Sequence, residues 1–167
     1  MDAEATDRVD EILREWRVER PELDTSPIGV IGRLHRIALA LTERLVAVYA
    51  QHGLSEAEFD LLVTIRRSGA PYERAAGELA AHTMVTTGGL TKRVDRLALR
   101  GLVERVPSDA DAHRRPVRLT PAGLSLIDRA FEAHLQNEHA ILAELGAADT
   151  ALIEGVLSRW LPMLERG

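Results

Sequence analysis

The sequence has no cysteine among its 167 residues, which removes disulfides, thiolate metal sites and cysteine-based oxidant sensing together. Nor has it an apolar run of the ~18 residues that a membrane span needs. Its first residues, MDAEATDRVDEIL, lack the basic-then-apolar order of a secretion signal, so a cytoplasmic protein without membrane attachment is expected. Internal repeats and low-complexity segments are missing. There is no glycine-rich phosphate loop after a strand, no nucleophile elbow and no pair of carboxylates in an acid–base context, which leaves catalysis without support. Among His35, His52, His82, His113, His134 and His139 no two stand at metal-ligand spacing, because His134 and His139 are five apart and fall on different helix faces. Neither a metal nor a cofactor is expected. Lysine is nearly absent too: Lys92 is the single exception among 21 basic residues that are otherwise arginine.

What is present is enough apolar material for a proper core, 46% of the residues, in one domain or one compact domain with an extension. Charge is unevenly spread. The chain carries −5 overall, yet residues 86–120 hold eight Lys/Arg against four Asp/Glu, so this stretch is +4 and the remainder −9. A net acidic protein repels nucleic acid unless a local patch reverses the field, and this stretch is such a patch.

Periodicity orders the elements. Val9, Ile12, Leu13 and Trp16 fall at i, i+3, i+4 and i+7, predicting an amphipathic helix with Thr6 as N-cap and Pro21 as its stop; Trp16 completes the apolar stripe and reads as a core residue. Ser26-Pro27 is an N-cap with proline at the first helical position, opening a long helix to about His52 with Ile31, Leu34, Ala38, Leu41, Leu45 and Val48 on one stripe and Gly53 in a left-handed closing position. Ser55 and Glu58 form a capping box for a third helix through Phe59, Leu62 and Ile65. A short helix, 77–82, follows with no polar cap. The next runs from about Thr87 to Arg100, then strands over 102–106 and 116–119 flank a polar turn. Thr120-Pro121 repeats the cap-plus-proline device for a long helix to about Leu145. The last helix carries Leu152, Ile153, Val156, Leu157 and Trp160, and Pro162 must kink or end it.

On the helix of the basic stretch, at about 100° per residue, Leu90, Val94 and Leu97 form the buried stripe, Gly88, Lys92 and Asp95 point away from it, and Thr91 and Arg96 flank them. Gly88 and Gly89 stand in what reads as helix, where each costs roughly 0.5–1 kcal/mol relative to alanine. Taken alone, such a helix is a solvated surface helix. Two short helices followed by a basic hairpin are, however, the sequence form of a winged helix-turn-helix, whose second helix enters the DNA major groove. A missing side chain at Gly88 would let the backbone approach the duplex, while Thr86, Thr87 and the free N–H groups of the first turn face phosphate. His113, Arg114 and Arg115 sit together at the tip of the projecting turn.

The segments GELAAHTMVTTGGLTKRVDRLALRGLVER and DAHRRPVRLTPAG resemble the MarR family of bacterial transcription regulators, and the long helices before and after extend the resemblance over nearly the whole chain. It implies a mainly α fold with a small β-hairpin wing. It also implies a homodimer whose helical interface comes from residues 27–54 and 121–167, one DNA-binding lobe per subunit at residues 55–120, and a palindromic double-stranded DNA operator. Thr86, Thr87, Gly88, Thr91, Lys92, Arg96, His113, Arg114 and Arg115 are the DNA-contact candidates. The family's wing usually has Asp-x-Arg four residues before the strand's valine; Asp111 matches, but His113 stands where the arginine is expected, which either leaves minor-groove insertion to Arg114 or weakens it near neutral pH.

The extra N-terminal helix and its linker, residues 1–26, resemble the family's urate-responsive branch. Its tryptophan, aspartate and two arginines correspond here to Trp16, Asp60, Arg93 and Arg105. Arg93 lies about 60° off the buried stripe, tilted toward the body of the lobe. Two guanidiniums near an indole suit a planar anion, and Asp60 would accept a hydrogen bond from a ring N–H such as a purine supplies. Equally, Asp60 with Arg93 or Arg105 could form a plain structural ion pair. The expected function is a transcriptional repressor released by a small planar anion such as urate, with a polycarboxylate or phenolic effector as the alternative. A constitutive winged-helix partner-binding or architectural protein is the reading from another class, and an enzyme with a hidden site a remoter one.

Overall fold

The computed structural model describes residues 6–83, 89–107 and 116–166. Their elements run α1 (Arg8–Glu19), α2 (Ser26–Gln51), α3 (Glu56–Arg66), β1 (Glu73–Ala75), α4 (Ala76–His82), α5 (Leu90–Leu99), β2 (Val103–Arg105), β3 (Pro116–Leu119), α6 (Pro121–Ala143) and α7 (Ala147–Glu165). The fold is mainly helical with a small antiparallel sheet, as expected, and none of the described helices is long and apolar enough to cross a membrane. Internal contacts divide the chain into two compact units, Met1–Arg44 and Leu45–Gly167, with α2 running from one into the other.

In the first unit, α1 is capped by Asp7 and not by Thr6. The Asp7 carboxylate accepts from the N–H groups of Val9 and Asp10 at 2.7 and 3.0 Å, and Asp10 returns the bond to the Asp7 N–H, so an aspartate pair builds the capping box. Arg33 on α2 forks onto the same two carboxylates, Nε to Asp7 at 2.7 Å and Nη2 to Asp10 at 2.6 Å, which holds the Asp7 carboxyl below its usual range. Val9 and Leu13 are buried, but Trp16 is 42% exposed: the stripe is covered over its first two turns only, and Trp16 is not a core residue. Ser26 is itself the first residue of α2, with its N–H donating to the Asp24 carboxylate at 3.0 Å, so Pro27 stands one place further in than expected. Of the predicted α2 stripe, Leu34, Leu41, Leu45 and Val48 are half-buried, whereas Ile31 and Ala38 are exposed.

The second unit holds the main core, with Leu61, Leu62 and Ile65 of α3, Leu79 of α4, Val94 and Leu97 of α5, Val117 of β3 and Ile127 of α6 all essentially inaccessible. Gly53 closes α2 at φ 66°, and the Ser55–Glu58 capping box opens α3, both as predicted. The sheet has three strands in the order β1-β3-β2 where the sequence predicts two. β1 is three residues long, with no alternating apolar pattern to announce it. It registers Glu73 opposite Arg118, while Glu104 of β2 faces Arg118 from the other side. Arg118 meets both carboxylates, Glu73 at 2.6 Å and Glu104 at 3.7 Å, a charge ladder across the sheet.

The Thr120 cap of α6 forms as predicted, its hydroxyl accepting from the Gly123 N–H at 3.0 Å. Gly123 is there for space: a Cβ on it would lie 1.9 Å from the Leu102 carbonyl oxygen. Pro162 does not end α7, which continues to Glu165. The proline removes one N–H donor, the one that would bond the carbonyl four residues earlier, and the helix runs on past it for less than a turn.

Candidate DNA interface and effector site

The outward face of α5 is presented by how its back is held. Val94 and Leu97 sink into the core and Leu90 packs against it. Glu58 is buried on α3 and faces Arg96 of α5 at 3.9 Å and Arg100, the C-cap of that helix, at 3.6 Å; Arg100 also donates to the Gly53 carbonyl at 3.0 Å. Burial pushes the Glu58 carboxyl up, but the Ser55 N–H and hydroxyl and the two guanidiniums outweigh it, leaving it below the usual carboxylate range.

At the other end α5 begins at Leu90, not at Thr87, and Gly89 is its N-cap residue with φ 84°. That glycine is therefore no helix-interior residue bearing a propensity cost. It supplies the left-handed backbone from which the helix starts, a conformation that side chains other than glycine's resist. Thr86, Thr87 and Gly88 lie outside the described residues, as do His113, Arg114 and Arg115. The remaining DNA-contact candidates, Thr91, Lys92 and Arg96, are all exposed on α5, and the Arg96 side chain keeps 64% of its surface free despite the distant Glu58.

The four effector candidates divide. Trp16 belongs to the first unit. Asp60, Arg93 and Arg105 lie on α3, α5 and β2, with α3 packed on α5 and α5 on β2. Asp60 is 8% exposed. Arg93 is half-buried, and its Nε and Nη1 are inaccessible and have no hydrogen-bond partner among the described residues. Buried polar atoms are nearly always satisfied, so such a guanidinium is an exception that asks for an acceptor. Arg105 donates through Nη2 to the Asp95 carboxylate of α5 at 2.7 Å, so the structural ion pair anticipated for this arginine forms with Asp95.

A feature that sequence reasoning missed is a pocket of about 700 Å³ in the second unit, with Asp60 among its lining residues. Tyr49 stacks on Phe59 with centroids 4.0 Å apart, and His134 and Phe131 extend the aromatic surface. Arg66, Arg67, Asp128 and Glu138 supply charge to the lining. The Tyr49 hydroxyl meets His134 Nδ1 at 3.3 Å, and burial, with the negative charges of Glu138, Glu56 and Asp60, pushes its phenol up to about 12. Arg66 is anchored to Asp128 at 2.7 Å and lies 4.8 Å over the Tyr72 ring. The chain has only six Phe, Tyr and Trp residues, and three of them line this pocket from positions 49, 59 and 131. Spacing that wide leaves no local pattern to read. Arg93 and Arg105 are not among its lining residues.

Known proteins share this architecture. The model of the MarR family matches residues 52–114. The HTH-type transcriptional regulator PecS of Dickeya dadantii is 37% identical over 151 residues, covering 90% of this chain and 91% of that protein. Among solved structures, wild-type apo MarR from E. coli is 29% identical with a TM-score of 0.64, over 78% of this chain and 96% of its own. A MarR family protein of Mycobacterium tuberculosis in complex with p-aminosalicylic acid is 26% identical with a TM-score of 0.60, over 78% of this chain and 97% of its own.

Proposed function

The chain belongs to the MarR family of transcription regulators, and we propose that within it the protein is a homodimeric repressor, released from a palindromic operator by a small planar anion of the urate kind. As a family member it is a DNA-binding regulator and not an enzyme. Residues 55–120 form the reading lobe in this proposal. Thr91, Lys92 and Arg96 address the major groove, with Thr86, Thr87 and Gly88 before them and the wing residues His113, Arg114 and Arg115 beside them. Residues 27–54 and 121–167 form the dimer interface. The apolar face of α7 supports this: Leu152, Leu161 and Leu164 are 57–66% exposed and no residue of that helix is buried.

The observation that carries the effector reading is Arg93. Two guanidinium nitrogens shut off from water with no acceptor among the described residues are costly, and an anion bound against them would supply one. Because Arg93 stands on the recognition helix and Arg105 on the wing strand, one ligand touching both would act on both reading elements. The assignment of Trp16 as a stacking face rests on the family resemblance alone. Calorimetry with urate tests the reading: binding to the wild type that is lost in Arg93→Ala supports it, and no urate binding to the wild type refutes the ligand.

The aromatic pocket favours a second reading, in which a phenolic or aromatic acid stacks on Tyr49, Phe59 and Phe131 and takes its charge pairing from Arg66 or Arg67. The p-aminosalicylic acid in the Mycobacterium tuberculosis relative is a ligand of that chemical class. Salicylate binding that is abolished by Phe59→Ala but untouched by Arg93→Ala would select this reading over the first.

A further inference from the structure

The aromatic pocket has two unlike ends, and an acid paired with Arg66 or Arg67 fills only one of them. Its lining residues from α3 and the C-cap of that helix, Glu56, Phe59, Asp60, Val63, Arg66 and Arg67, recur at three- and four-residue intervals and so share one face. Along that face the charge reverses, with Glu56 and Asp60 in the first half and the two arginines at the C-terminal end. At a rise of 1.5 Å per residue, Asp60 and Glu56 lie about 9 and 15 Å along the axis from Arg66. α6 runs antiparallel against this face: Asp128 meets Arg66 at 2.7 Å, while His134 lies beside Phe59 and carries Glu138 at 3.3 Å.

At the basic end two guanidiniums face one carboxylate, and both are fixed, Arg66 by Asp128 and Arg67 by the His82 carbonyl to which its Nη2 donates. At the acidic end stand Glu56, Asp60 and Glu138, with His134 the one basic group among the described residues lining it. Tyr49 senses that end directly. After burial, the charges of Glu138, Glu56 and Asp60 are what disfavour its phenolate, so the field at its hydroxyl is negative. Phe59 and Phe131 line the interval between the two ends.

We propose that the acidic end is a cation subsite and that the pocket takes an aromatic zwitterion: a carboxylate against the arginines, a ring on the aromatic wall, and an ammonium group against Glu56, Asp60 and Glu138. The place of the carboxylate and ring rests on the second reading given above; the ammonium is the addition. Its three N–H groups donate to carboxylate oxygens, and the neighbouring Tyr49 ring offers a face to the same charge. The two ends also set a preference. A simple aromatic acid leaves the negative field unanswered, and a ligand with a second carboxylate would bring like charge onto three carboxylates.

The test uses the full-length chain, calorimetry at neutral pH and three probes built on one ring. 4-(Aminomethyl)benzoate carries both charged groups, 4-methylbenzoate lacks the ammonium and 4-methylbenzylamine lacks the carboxylate. The first should bind the wild type about tenfold more tightly than the second, the scale of one charge-assisted hydrogen bond. In a Glu56→Gln, Glu138→Gln double variant, shown to be folded by thermal melting, that preference should fall by at least about threefold, while 4-methylbenzoate binds no more weakly. Phe131→Ala, on the aromatic wall, should weaken both acids alike; acids indifferent to it bind elsewhere and overturn the proposal. Equal wild-type affinities for the two acids, or a preference undiminished in the double variant, would overturn it and leave the aromatic-acid reading standing. If neither acid binds but 4-methylbenzylamine does, and loses affinity in the double variant, the aromatic-acid reading fails and the cation subsite is upheld. Binding of none of the three overturns both.

Discussion

Helices α5 and α7 differ in where their apolar residues go. α5 buries Val94 and Leu97 within its own unit, at 1% and 0% exposure. α7 presents Leu152, Ile153, Val156, Leu157 and Leu161 at 41–66% exposure and buries nothing. Apolar content alone therefore does not say what a helix packs against. α5 finds its packing partners within one chain, whereas the C-terminal helix has the surface of an element finished by another molecule, which in this account is a second copy.

The sharpest test of that difference is a pair of substitutions. Leu97→Ala should cost about 2–5 kcal/mol of unfolding free energy at every protein concentration, because it opens a cavity in the lobe. Leu157→Glu should leave the lobe folded but dissociate the dimer, so sedimentation should report a lighter species. A Leu157→Glu variant that sediments as the wild type does would remove α7 from the interface. Gly123→Ala comes next. The added Cβ meets a backbone oxygen that no rotamer change can move, so a destabilisation of about 1–3 kcal/mol is expected in a melt, with the start of α6 displaced from the β2 side of the lobe. A neutral result would mean that the approach to Leu102 is loose. Smallest is Glu58→Gln, at about 1 kcal/mol for the weakened capping box and the lost hold on Arg96 and Arg100. The folded-state pKa of Glu58 lies below its unfolded value, so its contribution is present above the unfolded pKa and fades as pH falls through the folded one. The wild type should thus lose more stability than Glu58→Gln on acidification below about pH 5; equal losses would show that Glu58 is not held below its usual range.

The same contrast explains what could be read in the sequence. Devices contained in a few adjacent residues were legible, such as Ser55 with Glu58, Thr120 with Pro121, the turn at Gly53 and the stripe through Leu90, Val94 and Leu97. The N-cap of α1 was misplaced by one residue because Thr6 and Asp7 are both good caps, and only the return bond from Asp10 chooses between them. β1 went unseen because its three residues are selected by pairing with β3 and not by their own propensity. In the candidate site, Arg93 was placed toward the lobe body by helical phase alone, and its buried nitrogens agree with that phase. Asp60 with Arg93 or Arg105 stood as the alternative structural ion pair; Arg105 pairs instead with Asp95, ten residues away across a turn, where a strand and a helix meet. The pocket at Tyr49, Phe59 and Phe131 needs three helices in place before it exists.

The central claim is that occupation of Arg93 and Arg105 by a planar anion is coupled to release of DNA. The most direct measurement is the affinity for the selected duplex, read by fluorescence anisotropy in the absence and presence of saturating urate, together with the urate affinity of the free and DNA-bound protein. The account predicts that urate weakens DNA binding by about 5- to 150-fold and that DNA weakens urate binding by the same factor, as linkage requires. DNA affinity that stays unchanged at saturating urate would contradict it.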